Sequence, residues 1–191
     1  MKEQGLSLVE ILTVMGIMTV VGALLMVIIV NSAGLFTTQS SKLEQGLNIN
    51  DLFSQIRSNI KDAGSVAASY TGGSTTYTTG VTQLILKLSS IDSSNNIISN
   101  TFDYYVYFLD TNRIRLKTFP DAQSSRKPQD QIFSGQIDSL KFQYFSSATP
   151  PVEVTPSSAA KVRITLTLKQ KTGAGSFETN TATSEANLRN D

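Results

Sequence analysis

The chain has 191 residues, enough for one domain of ordinary size plus an appendage. Its 16 Lys and Arg against 15 Asp and Glu give a net charge of +1, so it carries no basic field to hold nucleic acid strongly through the phosphates. Cys, His and Trp are all absent, which excludes disulfides, thiolate nucleophiles, Cys/His zinc sites and imidazole acid–base chemistry.

From Leu6 to Val30 the chain reads LSLVEILTVMGIMTVVGALLMVIIV, with only Ser7, Glu10, Thr13 and Thr19 polar. Roughly 20 apolar residues cross a bilayer core, so this run is long enough to span one. A secretory signal peptide has a shorter apolar region of about 7–15 residues after a basic stretch. Here the leader is only Met-Lys-Glu-Gln-Gly, although Ser32-Ala33-Gly34 would supply the small residues of a cleavage site. A plain membrane anchor accounts for every apolar residue of the run, but it leaves Glu10 unexplained. An acid inside a spanning helix costs on the order of 3 kcal/mol and is read as functional, with a partner to be named. Gly16 and Gly22 either loosen the helix or allow close helix packing.

Beyond Val30 the composition turns polar while helical spacing persists. Ile49, Phe53, Ile56, Ile60 and Ala63 draw one apolar stripe, which Leu43 and Leu47 extend backwards. Lys61 and Gly64 mark the C-terminal stop. A helix from Leu6 to about Ala63 is about 90 Å long at 1.5 Å per residue. Residues 65–80, rich in Ser, Thr and Gly, read as a surface loop.

Strand patterns follow at Gln83–Leu88 and at the aromatic stretch Phe102–Leu109. Asp110-Thr111-Asn112 then turns into Arg113–Phe119, where Ile114, Leu116 and Thr118 alternate with Arg113, Arg115 and Lys117, a β-hairpin with one wet face. Ser139–Phe145 places Leu140, Phe142 and Tyr144 on one side. Lys161–Lys169 alternates Val162, Ile164, Leu166 and Leu168 with Arg163, Thr165, Thr167 and Lys169. The Pro-bearing segment Ser146–Ala160 reads as an excursion between neighbouring strands, and the polar tail from Thr172 as partly ordered at a sheet edge. Strands gathered after one long helix imply an α+β fold, with the helix packed on an antiparallel sheet.

Little in this head suggests catalysis. Asp103, Asp110, Asp121, Asp130 and Asp138 sit in or beside turns, where Asp serves local hydrogen bonding. Asp110-x-Asn112 lacks the remaining oxygen ligands of a calcium loop, and a hairpin turn accounts for it. Phe102, Tyr104, Tyr105, Tyr107 and Phe108 read as sheet core and cross-strand pairs, because no basic groove accompanies them for stacking bases. Arg113, Arg115 and Lys117 form a solvated basic strand face. No enzyme activity, cofactor or metal is expected.

Gly5-Leu6-Ser7-Leu8-Val9-Glu10, followed by the apolar run, resembles the class III leader of type IV pilins and type II secretion pseudopilins. The resemblance covers about the first thirty residues. It implies cleavage by prepilin peptidase after Gly5, N-methylation of Leu6, and a glutamate as the fifth mature residue, which is Glu10. In that family the new N-terminal amine is thought to meet the glutamate of a neighbouring subunit, which would make Glu10 an assembly and register residue. The chain departs from the family pattern in starting its mature form with Leu6 rather than the commoner Phe. It also has Val27 where many major pilins carry Pro, so no proline kink is expected.

The implied organisation is a leader at 1–5, a transmembrane and filament-core helix at 6–30, an amphipathic continuation at 31–64 and a β-rich head at 65–191, a pilin-like α+β fold. The cysteine-free head, the late strand VRITLTLK and the terminal Leu-Arg-Asn resemble J-type minor pseudopilins and related minor pilins. The partners implied are prepilin peptidase, other pilin or pseudopilin subunits, the inner-membrane assembly platform and the membrane. The implied place is the bacterial inner membrane, with the head outside the cytoplasm, and then a pilus or a secretion pseudopilus. A DNA-uptake or adhesive minor pilin shares every N-terminal feature, while a single-span membrane-anchored binding protein would retain residues 1–5.

Overall fold

The computed structural model describes residues 7–133, 137–171 and 177–189, without the side chains of 37–38, 40–48 and 170–171. Gly5 and Leu6 lie outside the described residues, as do the side chains of Leu43 and Leu47. The chain divides into two compact units, Met1–Glu44 and Gln45–Asp191. One helix, α1, runs over Leu8–Asp62 and so belongs to both.

In the first unit every described side chain from Ser7 to Phe36 is exposed. The 29 residues Leu8–Phe36 are apolar enough to cross a membrane. Two of the polar residues in that run satisfy themselves locally. Thr13 Oγ1 donates to the Val9 carbonyl and Thr19 Oγ1 to that of Met15, each at 2.8 Å. These bonds to the preceding turn let a hydroxyl enter hydrocarbon without an unpaired donor.

In the second unit α1 presents Leu52, Phe53, Ile56 and Ile60, all buried, and stops at Asp62 with Lys61 in its last turn. Three- and four-residue steps place these side chains on one face. Ten strands follow: β1 Ser65–Val66, β2 Ser69–Gly72, β3 Thr75–Thr78, β4 Gln83–Ile91, β5 Ile97–Asp110, β6 Arg113–Phe119, β7 Gln129–Ile132, β8 Ile137–Phe145, β9 Lys161–Lys171 and β10 Phe177–Asn187. They form two antiparallel sheets, in the orders β1-β4-β5-β6-β7 and β10-β9-β8, plus a two-stranded ribbon, β2-β3. The fold is therefore α+β, with its strands in two sheets rather than the single sheet expected.

The inner faces of both sheets join the helix stripe in one core. It gathers Leu84, Leu86 and Leu88 from β4, Tyr107 from β5, Ile114 and Leu116 from β6, and Leu140, Phe142 and Tyr144 from β8. Val162, Ile164, Leu166 and Leu168 of β9 complete it. Asn59 of α1 donates to the Tyr107 hydroxyl at 2.6 Å and the Tyr144 hydroxyl donates to the Gly80 carbonyl at 2.9 Å, so both core phenols are paired. Burial raises the pKa of the Tyr107 phenol.

The segment 65–80 is not a loop. β1 pairs with β4 and buries Val66, and the ribbon lays Tyr70 and Tyr77 on the outer face of the five-stranded sheet. Tyr70 stacks on Tyr104 with ring centroids 4.2 Å apart, and Tyr77 packs near Ile85 and Val106. Gly72 makes the approach possible, because a Cβ there would come within 2.6 Å of the Phe119 ring. The many threonines, which suggest a loop by composition, are also good strand formers once two tyrosines anchor them.

The stripe on α1 generates a direct expectation. Ile56 is fully buried, so Ile56→Ala should lower the stability of the second unit by about 2–5 kcal/mol. Urea unfolding of the detergent-solubilised chain, followed by tyrosine near-ultraviolet dichroism, measures it. An unchanged midpoint would mean that this face of α1 is not part of the core.

Candidate assembly site and head network

Glu10 occupies the first turn of α1. Its backbone N–H lies 3.3 Å from Ser7 Oγ and 3.0 Å from the Ser7 carbonyl, so Ser7 caps the helix. Ser7-x-x-Glu10 is the spacing of a capping box, a helix-start signal that the leader motif alone does not bring to notice. These bonds engage the Glu10 backbone, and what the helix start offers its carboxylate can be bounded. A carboxylate near a helix N-terminus gains about 0.3–1 kcal/mol from the macrodipole, against about 3 kcal/mol for an acid at hydrocarbon depth. The macrodipole therefore offsets a third of that cost at most. No ion pair to Glu10 occurs among the described residues. Gly5 and Leu6, the expected cleavage and methylation sites, lie outside them.

In the head, the carboxylate that departs most from expectation is Asp103. It lies within β5 and is completely buried, not in a turn. One oxygen, Oδ1, accepts from Ser90 Oγ and from the Asp121 backbone N–H, both at 2.8 Å. The other, Oδ2, accepts from Ser124 Oγ at 2.8 Å and from Arg126 Nη1 at 2.6 Å. Arg126 also donates to the Ser89 carbonyl at 2.7 Å. Burial raises the Asp103 pKa, but these four donors outweigh it and hold the carboxyl below its usual range. Residues 121–126 are thereby pinned across the ends of β4 and β5. The sequence carried a signal for this, since an Asp inside the aromatic run FDYYVYFL is out of place in a strand.

The other acids named from sequence have structural partners or exposed positions. Asp110 and Asp130 both bind Arg115, at 2.9 and 2.6 Å, and Lys117 approaches Asp130 at 3.9 Å. The expected solvated basic face on β6 is thus partly neutralised. Arg115 lowers the Asp130 pKa, chiefly by hydrogen bonding. With both acids more than 40% exposed, such pairs add about 0–1 kcal/mol each. Asp121 caps its own turn by accepting from the Gln123 N–H at 2.9 Å, and Asp138 is exposed on β8. Of the aromatic run, Tyr107 is core, Tyr104 and Phe108 meet the ribbon tyrosines, and Phe102 lies under the Lys87 ammonium at 3.7 Å. Asp110-Thr111-Asn112 forms the tight turn from β5 to β6, with Thr111 at φ 60°.

No group of three or more His, Cys, Asp or Glu suited to a metal ion occurs among the described residues. A cleft of about 400 Å³ is lined by Ser146, Ser147, Thr149, Pro151, Lys161 and Asn187 among others, with no carboxylate in its wall. The Lys161 ammonium is engaged with Glu185 at 3.7 Å. This wall offers hydroxyls and a paired cation, and no acid–base couple.

The sequence matches no family model and no curated protein. Among solved structures, the chain is similar to one from the GspK-GspI-GspJ complex of the type 2 secretion system of enterotoxigenic Escherichia coli. The TM-score is 0.46 at 13% identity, over 77% of this chain and 99% of that one.

The Asp103 network carries its own test. Asp103→Asn turns an acceptor oxygen into a donor facing donors and leaves Arg126 without its anion. The variant should lose about 3 kcal/mol, the low end for breaking a buried pair, because Arg126 is 21% exposed. A depressed carboxyl pKa contributes stability above its unfolded value of about 3.9 and loses it as pH falls through the lower folded value. Stability of the parent chain should therefore fall more steeply below about pH 4 than that of the variant. Parallel acid limbs in denaturant titrations would contradict the assignment.

Proposed function

We propose that this protein is a structural subunit of the prepilin type, a minor pilin or pseudopilin that is processed at its N-terminus and joins a type IV pilus or a type II secretion pseudopilus. The observation that carries the reading is Glu10, a carboxylate in the capped first turn of a helix whose first 29 residues are apolar enough to cross a membrane, four positions after Leu6 of the Gly5-Leu6 pair. Cleavage after Gly5 creates an ammonium at Leu6, and methylation leaves that amine basic. An acid and an amine that are each costly in hydrocarbon compensate each other when paired. A neighbouring subunit supplies the amine, so Glu10 both rewards association and fixes its register.

In this reading residues 1–5 are the leader, 6–30 the membrane and filament-core helix, 31–64 its amphipathic continuation and 65–191 the head. The subunit waits in the bacterial inner membrane with the head outside the cytoplasm, after prepilin peptidase has acted and before an assembly platform moves it into a filament. Its task is mechanical, not enzymatic. A J-type minor pseudopilin is the finer assignment within the family. DNA-uptake and adhesive minor pilins share the same N-terminal chemistry and differ in what the head touches. A single-span anchored binding protein needs the apolar helix alone, without cleavage.

Mass spectrometry of the mature chain discriminates at once. We expect it to begin at N-methyl-Leu6. A chain beginning at Met1 would favour the simple anchor, and one beginning at Leu35 a secreted protein.

Assembly tests the carboxylate itself. Glu10→Ala makes the helix more apolar, so processing and membrane insertion should persist while incorporation into sheared filaments or crosslinked subunit complexes is lost. Glu10→Gln, nearly isosteric, should fail in the same way if charge is what matters. Normal incorporation of Glu10→Ala would remove the proposed role.

A further inference from the structure

Three of the four outer edges of the two sheets are protected. β1 offers two residues and β7 four. The edge of β8 is covered by loops. Phe142 N–H donates to the Val81 carbonyl at 2.7 Å, Val154 N–H to that of Tyr144 at 2.9 Å, and Ser146 N–H to that of Val152 at 2.9 Å.

β10 is different. Its 11 residues pair with β9 in unbroken register, without a bulge, and contain no Pro, Gly, Lys or Arg. Among the described residues, no segment other than β9 bonds to the backbone of 179–187. Natural sheets usually blunt a long edge with short length, Lys, Pro, a bulge or a cover, because a bare row of N–H and C=O groups is a template for another strand. Over 179–187 this edge is long, regular and uncovered among the described residues, and Glu185 is the one charge it carries there.

We infer that the edge of β10 over residues 179–187 is an interaction surface for β10 of a second copy of this chain, the two strands pairing antiparallel about Ala182. The occupant follows from the strand's own sequence. Antiparallel pairing centred on Ala182 sets Thr181 opposite Thr183, Asn180 opposite Ser184 and Thr179 opposite Glu185. No two charges face each other directly, and hydroxyl pairs occupy the centre, an arrangement that stabilises cross-strand neighbours.

Charge also alternates across the joined sheet. On the outer face Glu185 lies beside Arg163 of its own chain, and Thr179 lies beside Lys169. In the pair, Lys169 of each copy stands two strand spacings, roughly 10 Å, from Glu185 of the other, within the combined reach of the two side chains. The product is one continuous six-stranded sheet. It needs neither N-terminal processing nor Glu10, so it stands or falls apart from the filament reading.

The chain has no native cysteine, so introduced ones report cleanly. In the full-length chain, in membranes and after gentle solubilisation, Ala182→Cys should give a disulfide-linked dimer on mild oxidation. Mixing Thr181→Cys chains with Thr183→Cys chains should give the mixed dimer in preference to either self-dimer. Thr179→Cys should not crosslink, because its counterpart lies six residues along the strands, about 20 Å away. The threonine variants are solvent-facing and leave the core intact, so they remain informative if Ala182→Cys perturbs it. Absence of all crosslinks, equal yields at 179, 181 and 182, or capture of a different protein instead of a second copy would overturn the proposal.

Discussion

The head depends on one face of one helix. Leu52, Phe53, Ile56 and Ile60 of α1, with Ala63 just beyond it, lie between the inner faces of two sheets that would otherwise present Leu, Ile, Val and aromatic side chains to water. Neither sheet covers its own inner face, which gathers Leu84, Leu86, Leu88, Tyr107, Ile114 and Leu116 on one side and the apolar residues of β8 and β9 on the other. Supplying that cover from the last three turns of a 55-residue helix ties the fold of the head to the element that also carries the apolar run Leu8–Phe36. A change in the helix sequence is thus read out twice, as packing in the second unit and as solvation in the first.

The two ends of α1 follow different patterns, one docked on a core and the other apolar enough to cross a membrane. Near the C-terminal end one face is apolar and the other polar, as expected of a helix docked on a core in water. Near the N-terminal end the helix is apolar all round, and the threonines return their hydroxyls to the preceding turn. Among the described residues of the run's first turns Glu10 breaks the pattern, and the helix dipole offsets only part of its cost. In the proposed assembly, a cationic partner on a neighbouring subunit would turn that cost into a driving force for association. Asp103 solves a comparable problem by the opposite route, with four donors from its own chain, and so contributes to folding rather than to assembly.

How far the sequence reveals these features depends on side-chain size. The end of α1, the β5–β6 hairpin and the strands β4, β8 and β9 are legible because large apolar residues alternate there at a clear period. β10 is nearly silent because its inward positions are Ala182, Ser184 and Ala186, too small to stand out against the polar alternates. The β2–β3 ribbon hides among threonines, and only Tyr70 and Tyr77 mark its packing face. From sequence Asp103 reads as a turn residue like the other acids of the head, whereas its donors, Ser90, Ser124 and Arg126, are brought to it by strand pairing and by a loop return that no local pattern encodes. Glu10 is the reverse case. Its oddity is visible in six letters, while the partner proposed for it lies on another molecule.

The pairing of Glu10 can be measured directly. In filaments assembled from an equal mixture of ¹⁵N-Leu-labelled and ¹³C-Glu-labelled subunits, dipolar recoupling by solid-state NMR reports contacts between different chains only. We expect the Glu10 carboxyl carbon to show the shift of an ionised acid and to couple to the Leu6 amine nitrogen at about 4 Å, the reach of an ion pair. A neutral carboxyl shift, with no coupling to an amine of another subunit, would contradict the proposed role of this residue.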